Sequence, residues 1–287
     1  MTLQTAVAYR GDLKITFVRL TSDGISRAIL FSVPYALTDY HQASDAIIRA
    51  ATGRESYTVS ALAVHGLVET LRNPRLAMNL SRIDLIVPDG QPIRWALNSF
   101  YGSGLKDRVY GPKLTETVLA KASALGLRVF LFGSTETTLL RLRTAIGARF
   151  PGVVVCGAQA DRFRDATESE DAADIRTINA SDAHIVLVGR GCPRQEIWVA
   201  EHKGKIASAM LAVGAAFDFI AGTLPQAPQW MQNRGLEWLY RLISEPRRLW
   251  KRYLVTNSVF IYLFMKHRLV LRDPKLVTQT ARKTGLS

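Results

Sequence analysis

At 287 residues, with 48% hydrophobic and 21% charged side chains, the chain can bury one large domain with an appendage or two small domains, which excludes a disordered polypeptide. Thirty-seven Lys and Arg against 24 Asp and Glu leave a net charge of +13, which points to an anionic partner: nucleic acid, lipid head groups or a phosphorylated substrate. Its two cysteines, Cys156 and Cys192, are too isolated for a disulfide framework or a zinc site and suit a reducing compartment.

The N-terminal stretch lacks the apolar core of a signal peptide and shows no clear period, so residues 1–28 read as an extension. Apolar, strand-like runs then alternate with helical patterns. In chain order they are a strand at Ile29–Val33, a helix at Gln42–Ala51, strands at Tyr57–Ser60 and Ile83–Val87, and a helix at Lys113–Leu125. A strand at Arg128–Phe132, a helix at Glu136–Phe150, a strand at Val153–Cys156 and a helix at Asp171–Asn179 follow. A strand at His184–Val188, a helix at Arg194–His202 and a strand at Met210–Val213 complete the series. Most of the strands are continuous apolar runs, the pattern of strands covered on both faces. The alternation predicts an α/β fold: a Rossmann-like parallel sheet with flanking helices over residues 29–235, followed by a basic helical C-terminal appendage over 236–287. No apolar run is long enough to span a membrane.

Ligands of an open parallel sheet collect at the carboxyl ends of its strands. Four segments belong there. In Val87-Pro88-Asp89-Gly90, Asp89 is either a general base for a substrate hydroxyl or the polar residue of an ordinary turn. Phe132-Gly133-Ser134-Thr135 joins a strand to a helix, where backbone amides suit a diphosphate, although a glycine there is common in any such junction. Gly189-Arg190-Gly191-Cys192-Pro193-Arg194-Gln195-Glu196 is a more specific anion-binding context. It lacks the third glycine of the dinucleotide fingerprint, which disfavours a nucleotide-dependent oxidoreductase. In Val213-Gly214-Ala215-Ala216-Phe217-Asp218-Phe219, the aromatics and Asp218 serve equally well as a nucleobase pocket or as core and turn. No Asp-x-Asp pair or His cluster supplies a metal site, and no cofactor is expected. The acidic run Glu168, Glu170, Asp171 and Asp174 has the spacing of a solvated helix face.

The charge is unevenly placed, with +8 carried by residues 236–287 against +5 for the longer remainder. Arg247, Arg248, Lys251 and Arg252 share one side of a helix, with Trp250 and Tyr253 nearby. This is the pattern of an interfacial helix on an anionic membrane surface, or of a helix packed on the body with its cations merely solvated.

Taken together these segments resemble the WecG/TagA/CpsF family of bacterial glycosyltransferases. The resemblance is carried by Pro88-Asp89-Gly90 with Trp95, by Gly191-Cys192-Pro193-Arg194-Gln195-Glu196 with Trp198, and by Phe217-Asp218-Phe219-Ile220-Ala221-Gly222 with Ala227-Pro228. It continues through Gly235-Leu236-Glu237-Trp238-Leu239-Tyr240-Arg241-Leu242 and Glu245-Pro246-Arg247-Arg248. It implies an inverting transfer from a UDP-sugar to a polyprenyl-diphosphate-linked saccharide, in cell-surface or exopolysaccharide synthesis, without an obligatory metal. Asp89 matches the catalytic base, and Gln195 and Asp218 match positions of the nucleotide-sugar pocket, where Ser60 and Gly133 also become candidates. Arg241, Arg247 and Arg248 match a basic appendage that closes over the site at the membrane. The implied location is peripheral, on the cytoplasmic face of the inner membrane, with no nucleic acid as partner and with monomer and homo-oligomer both open. Two departures stand out. The family's frequent Thr-x-Asn element has no unique counterpart in Thr58-Val59-Ser60-Ala61-Leu62-Ala63-Val64-His65, and Gln226 stands where an arginine often precedes Ala-Pro.

Overall fold

In the computed structural model, which describes residues 5–10, 13–18 and 23–272, four short antiparallel strands come first. They are β1 (Thr5–Arg10), β2 (Leu13–Val18), β3 (Arg27–Leu30) and β4 (Val33–Ala36). The single strand expected at Ile29–Val33 is thus the tip of a hairpin. Phe31 and Ser32 both take positive φ, 47° and 74°, as a tight two-residue turn requires, and no Gly or Asn announces it. The N-terminal stretch is also part of the sheet, since β2 pairs with β3 through Phe17 and Val18.

The body follows as α1 (Tyr40–Thr52), β5 (Tyr57–Leu62), α2 (Val64–Thr70), α3 (Pro74–Leu80), β6 (Leu85–Pro88), α4 (Gln91–Tyr101) and α5 (Gly111–Ala124). It continues with β7 (Arg128–Gly133), α6 (Glu136–Arg149), β8 (Val154–Gln159), α7 (Glu168–Ala180), β9 (Ile185–Gly189), α8 (Arg194–Glu201), β10 (Ala209–Ala212) and α9 (Ala216–Ile220). The C-terminal helices are α10 (Gln229–Asn233), α11 (Glu237–Ser244) and α12 (Pro246–Arg272).

All ten strands form one sheet in the order β1-β2-β3-β4-β6-β5-β10-β9-β7-β8. From β4 onward the pairings are parallel. The Rossmann-like architecture expected from the alternation is therefore present, with an antiparallel edge added. Successive residues of a strand feed opposite layers. Leu85 and Val87 belong to the core layer that also holds residues of α1, α5 and α6, whereas Ile86 belongs to the layer with residues of α2, α3, α4 and α8. Each such aliphatic side chain, removed fully from water, contributes about 1.5–3 kcal/mol.

Local signals fix the helix starts. Asp39, Asn73 and Thr135 cap α1, α3 and α6 through their side chains, and Thr167 with Glu170 closes a capping box on α7. That last contact revises the reading of the acidic run. Glu170 caps the helix and pairs with Arg164, and Asp174 is buried and takes two hydrogen bonds from Arg162 at 2.6 and 2.9 Å. Only part of that face is solvated.

The tail lies against the body. Leu249, Thr256 and Phe260 are buried, and Phe260, Phe264 and His267 of α12 meet Phe31 and Phe100 edge-on or stacked. Leu254, Ile261, Tyr262, Met265 and Leu269 occupy the opposite, exposed face. Among the described residues no helix is long and apolar enough to cross a membrane.

Candidate active site

The carboxyl ends of β5, β6, β9 and β10 open into one cavity of about 420 Å³, and the tail forms its far wall. Its lining includes Asp89 and Arg108 from the body, Gln195 and Glu196 from α8, and Asp218 from α9. Glu237, Trp238 and Arg241 of α11 and Arg252 and Tyr253 of α12 come from the tail.

Asp89 leaves β6 and is followed by Gly90 at φ 98°, a conformation that glycine adopts without strain, so the chain turns sharply into α4. The turn aims the carboxylate at the first residue of α5, where the Gly111 backbone N–H donates to it. Burial pushes the Asp89 carboxyl up to about 7. The Arg108 cation opposes that rise, Glu237 reinforces it, and the Gly111 amide and Arg241 oppose it further. Dehydration wins over one helix end and two guanidinium groups. The outcome is a group that exchanges a proton near neutrality.

Arg108 donates to Glu237 at 2.5 Å, with side-chain exposures of 8% and 10%, and lies 4.4 Å from the centre of the Tyr110 ring. This buried ion pair joins body and tail at the cavity wall. Nothing in the sequence paired the two residues, which stand 129 positions apart.

The loop from Gly189 to Pro193 forms another wall and contains a cis Cys192–Pro193 peptide. Gln195 Oε1 accepts from the Gly191 amide at 3.1 Å, and its Nε2 donates to Glu196 Oε1 at 2.8 Å. A Cβ on Gly214 would lie 2.9 Å from Gln195 Oε1, so only glycine leaves that side chain its space. Phe217 and Phe219 are buried in the core, while Asp218 between them lines the cavity and accepts from Thr223 Oγ1 at 3.2 Å.

The structure therefore brings Asp89, Gln195, Asp218 and Arg241 together. Ser60 lies one layer behind the wall, fully buried, donating to Glu196 Oε1 at 3.3 Å. Thr58, deeper in the same strand, bonds to Asp84. Gly133 also stands off the wall. It ends β7 so close to β9 that a Cβ would meet the Gly189 carbonyl at 2.7 Å, and its neighbour Ser134 reaches the cavity instead. Arg247 is exposed and lines no wall, and the side chain of Arg248 lies outside the described residues. Arg252, a member of the same basic run, turns inward. Among the described residues no group of three His, Cys, Asp or Glu side chains is placed to hold a metal ion.

Fold and cavity define an α/β protein with a buried carboxyl set among cations at the strand ends. Residues 28–274 match the Glycosyl transferase WecG/TagA/CpsF family, and the chain belongs to that family. It is a glycosyltransferase. It is also similar to the N-acetylglucosaminyldiphosphoundecaprenol N-acetyl-beta-D-mannosaminyltransferase of Bacillus spizizenii, with 29% identity over 212 residues, covering 74% of this chain and 79% of that protein.

Proposed function

We propose that the enzyme transfers a sugar from a nucleotide-sugar, a UDP-sugar, to a hydroxyl of a polyprenyl-diphosphate-linked saccharide during cell-surface or exopolysaccharide synthesis, with inversion at the anomeric carbon. The observation that carries the reading is the Asp89 carboxyl, raised to about 7 and facing a cavity that also receives Arg241 and Arg252. As a base it takes the proton of the acceptor hydroxyl while that oxygen bonds to the anomeric carbon. The bond from that carbon to the donor diphosphate breaks on the opposite face, and the departing charge is met by the arginines and by loop amides. Gln195 and Asp218 hold the nucleotide-sugar. Ser60 and Gly133 support that wall from behind, Ser60 through Glu196 and Gly133 through the β7–β9 contact. The relative's name, which specifies an undecaprenol-diphosphate acceptor, supports the acceptor class.

The exposed face of α12, with Trp250 and Lys251 beside it, supports a peripheral location on the cytoplasmic leaflet, where each cation near an anionic surface contributes about 1 kcal/mol. The test is a panel of UDP- and GDP-sugars with a short-chain polyprenyl-diphosphate saccharide, the product's anomeric configuration being read by NMR. Transfer with inversion from a UDP-sugar is expected. Retained configuration, or donor hydrolysis with no acceptor dependence, refutes the mechanism.

A further inference from the structure

Gln195 is 4% exposed and fixed on three sides. Its oxygen takes the Gly191 amide, Gly214 presses against it, and one of its two N–H groups is held by Glu196. That leaves one N–H and one lone pair to present to a ligand. The direction in which they point is set by the Gly191 amide and Glu196 together, because a carboxamide free to rotate would exchange its donor for its acceptor.

Glu196 is itself 1% exposed and has no cation among its hydrogen-bond partners. Its Oε1 receives Gln195 and Ser60 Oγ, and its Oε2 has no nitrogen or oxygen partner. Burial pushes this carboxyl above the usual carboxylate range, against the hydrogen bonds from Gln195, its own backbone amide, Cys192 and Ser60. Burial without a counter-ion favours the neutral form of a carboxyl.

We propose that Glu196 is a positioning residue for the donor, a hydrogen-bond brace that links Ser60 of β5 to Gln195 of α8 and helps to fix the Gln195 carboxamide toward the nucleotide-sugar. It touches no reacting atom. It acts through Gln195 and so rests on the donor site proposed above. Its requirement is an acceptor oxygen at one position, with no charge.

The experiment compares donor KM and kcat for the full-length wild type, Glu196→Gln, Glu196→Ala, Gln195→Ala and the double alanine variant, with circular dichroism and thermal melting as folding controls. Glu196→Gln keeps the acceptor oxygen, so its donor KM is expected to stay within about threefold of wild type. Glu196→Ala should raise donor KM by about tenfold, the weight of one lost hydrogen bond, with a smaller change in kcat. In the Gln195→Ala background, removing Glu196 should have no further effect on KM.

Equal loss in Glu196→Gln and Glu196→Ala overturns a brace that needs no charge, since a charge is then required. Unchanged KM in Glu196→Ala, or an equal penalty in the Gln195→Ala background, overturns positioning through Gln195. A wild-type enzyme that turns over no nucleotide-sugar sinks the donor site itself and the brace with it. That result is distinct from a working wild type insensitive to Glu196.

Discussion

Asp89→Asn should give an enzyme that is nearly inactive and more stable at neutral pH. In the unfolded chain Asp89 titrates near 3.8, and in the folded protein near 7, so the native state holds the proton longer. The sign follows from that difference. The stability linked to this group is complete below about pH 4 and is lost as pH rises toward and through 7. Just over three pH units at 1.36 kcal/mol each set a ceiling of about 4 kcal/mol on the cost of ionising Asp89 in place. Asparagine avoids that cost and still offers the Gly111 amide an oxygen. For a domain of this size the gain corresponds to a rise in melting temperature of several degrees at pH 7.5, and to almost none at pH 4. Turnover should fall by on the order of 10²–10⁴, the usual weight of a general base. Melting curves of both proteins across pH 4–8, paired with kcat, check both halves. A variant whose stability gain is the same at pH 4 and 7.5, or whose turnover is near normal, refutes the assignment of a strained, functional carboxyl.

Glu237→Gln should move the acid limb of kcat/KM to lower pH, because Glu237 helps to raise Asp89 and its removal leaves the Arg108 attraction unopposed. The same change breaks a buried ion pair and should cost about 3–5 kcal/mol, read by denaturant titration. Arg252→Ala, which removes a cation from the cavity wall, should reduce turnover at least tenfold more than Arg247→Ala, whose side chain is exposed. Steady-state assays of the two variants on the same vesicles decide it. Transfer should persist in excess EDTA, as expected of a chain without an Asp-x-Asp pair. Complete loss, restored by magnesium or manganese, contradicts that.

What was legible in the sequence follows from what each pattern records. The parallel strands were readable because burial on both faces makes continuous apolar runs such as Leu85–Pro88 and Ile185–Gly189. The turn at Phe31 and Ser32 was not, since it takes left-handed backbone without the residues that favour it. Helices α2 and α3 have seven residues each, too few for a 3.6-residue period to stand out. Asp89, Gln195 and Asp218, which line the cavity, were singled out through strand-end position and family motif together. Glu196 carried a signal that went unused: it shares a helical face with Val199 and Ala200, both buried, so a charged residue there had to lie inside.

The basic run of the tail shows where a one-dimensional pattern stops. Helical spacing places Arg247, Lys251 and Arg252 on one side of α12, but it does not set the rotation of that side relative to the body. That phase is fixed by contacts remote in sequence: Phe260 against Phe31, and Phe264 against Phe100. Once those are made, Arg252 faces the cavity while Arg247 and Lys251 face out. The packed reading of the tail describes one side of α12, and the interfacial reading is a proposal about the other. One side completes the wall opposite Asp89, and the other exposes Leu254, Ile261, Tyr262, Met265 and Leu269. Any force that lifts α12 from the body must also break the Phe264–Phe100 stack. Glu237, contributed by the tail, and Arg108, contributed by the body, act on the Asp89 carboxyl in opposite senses, and burial outweighs both.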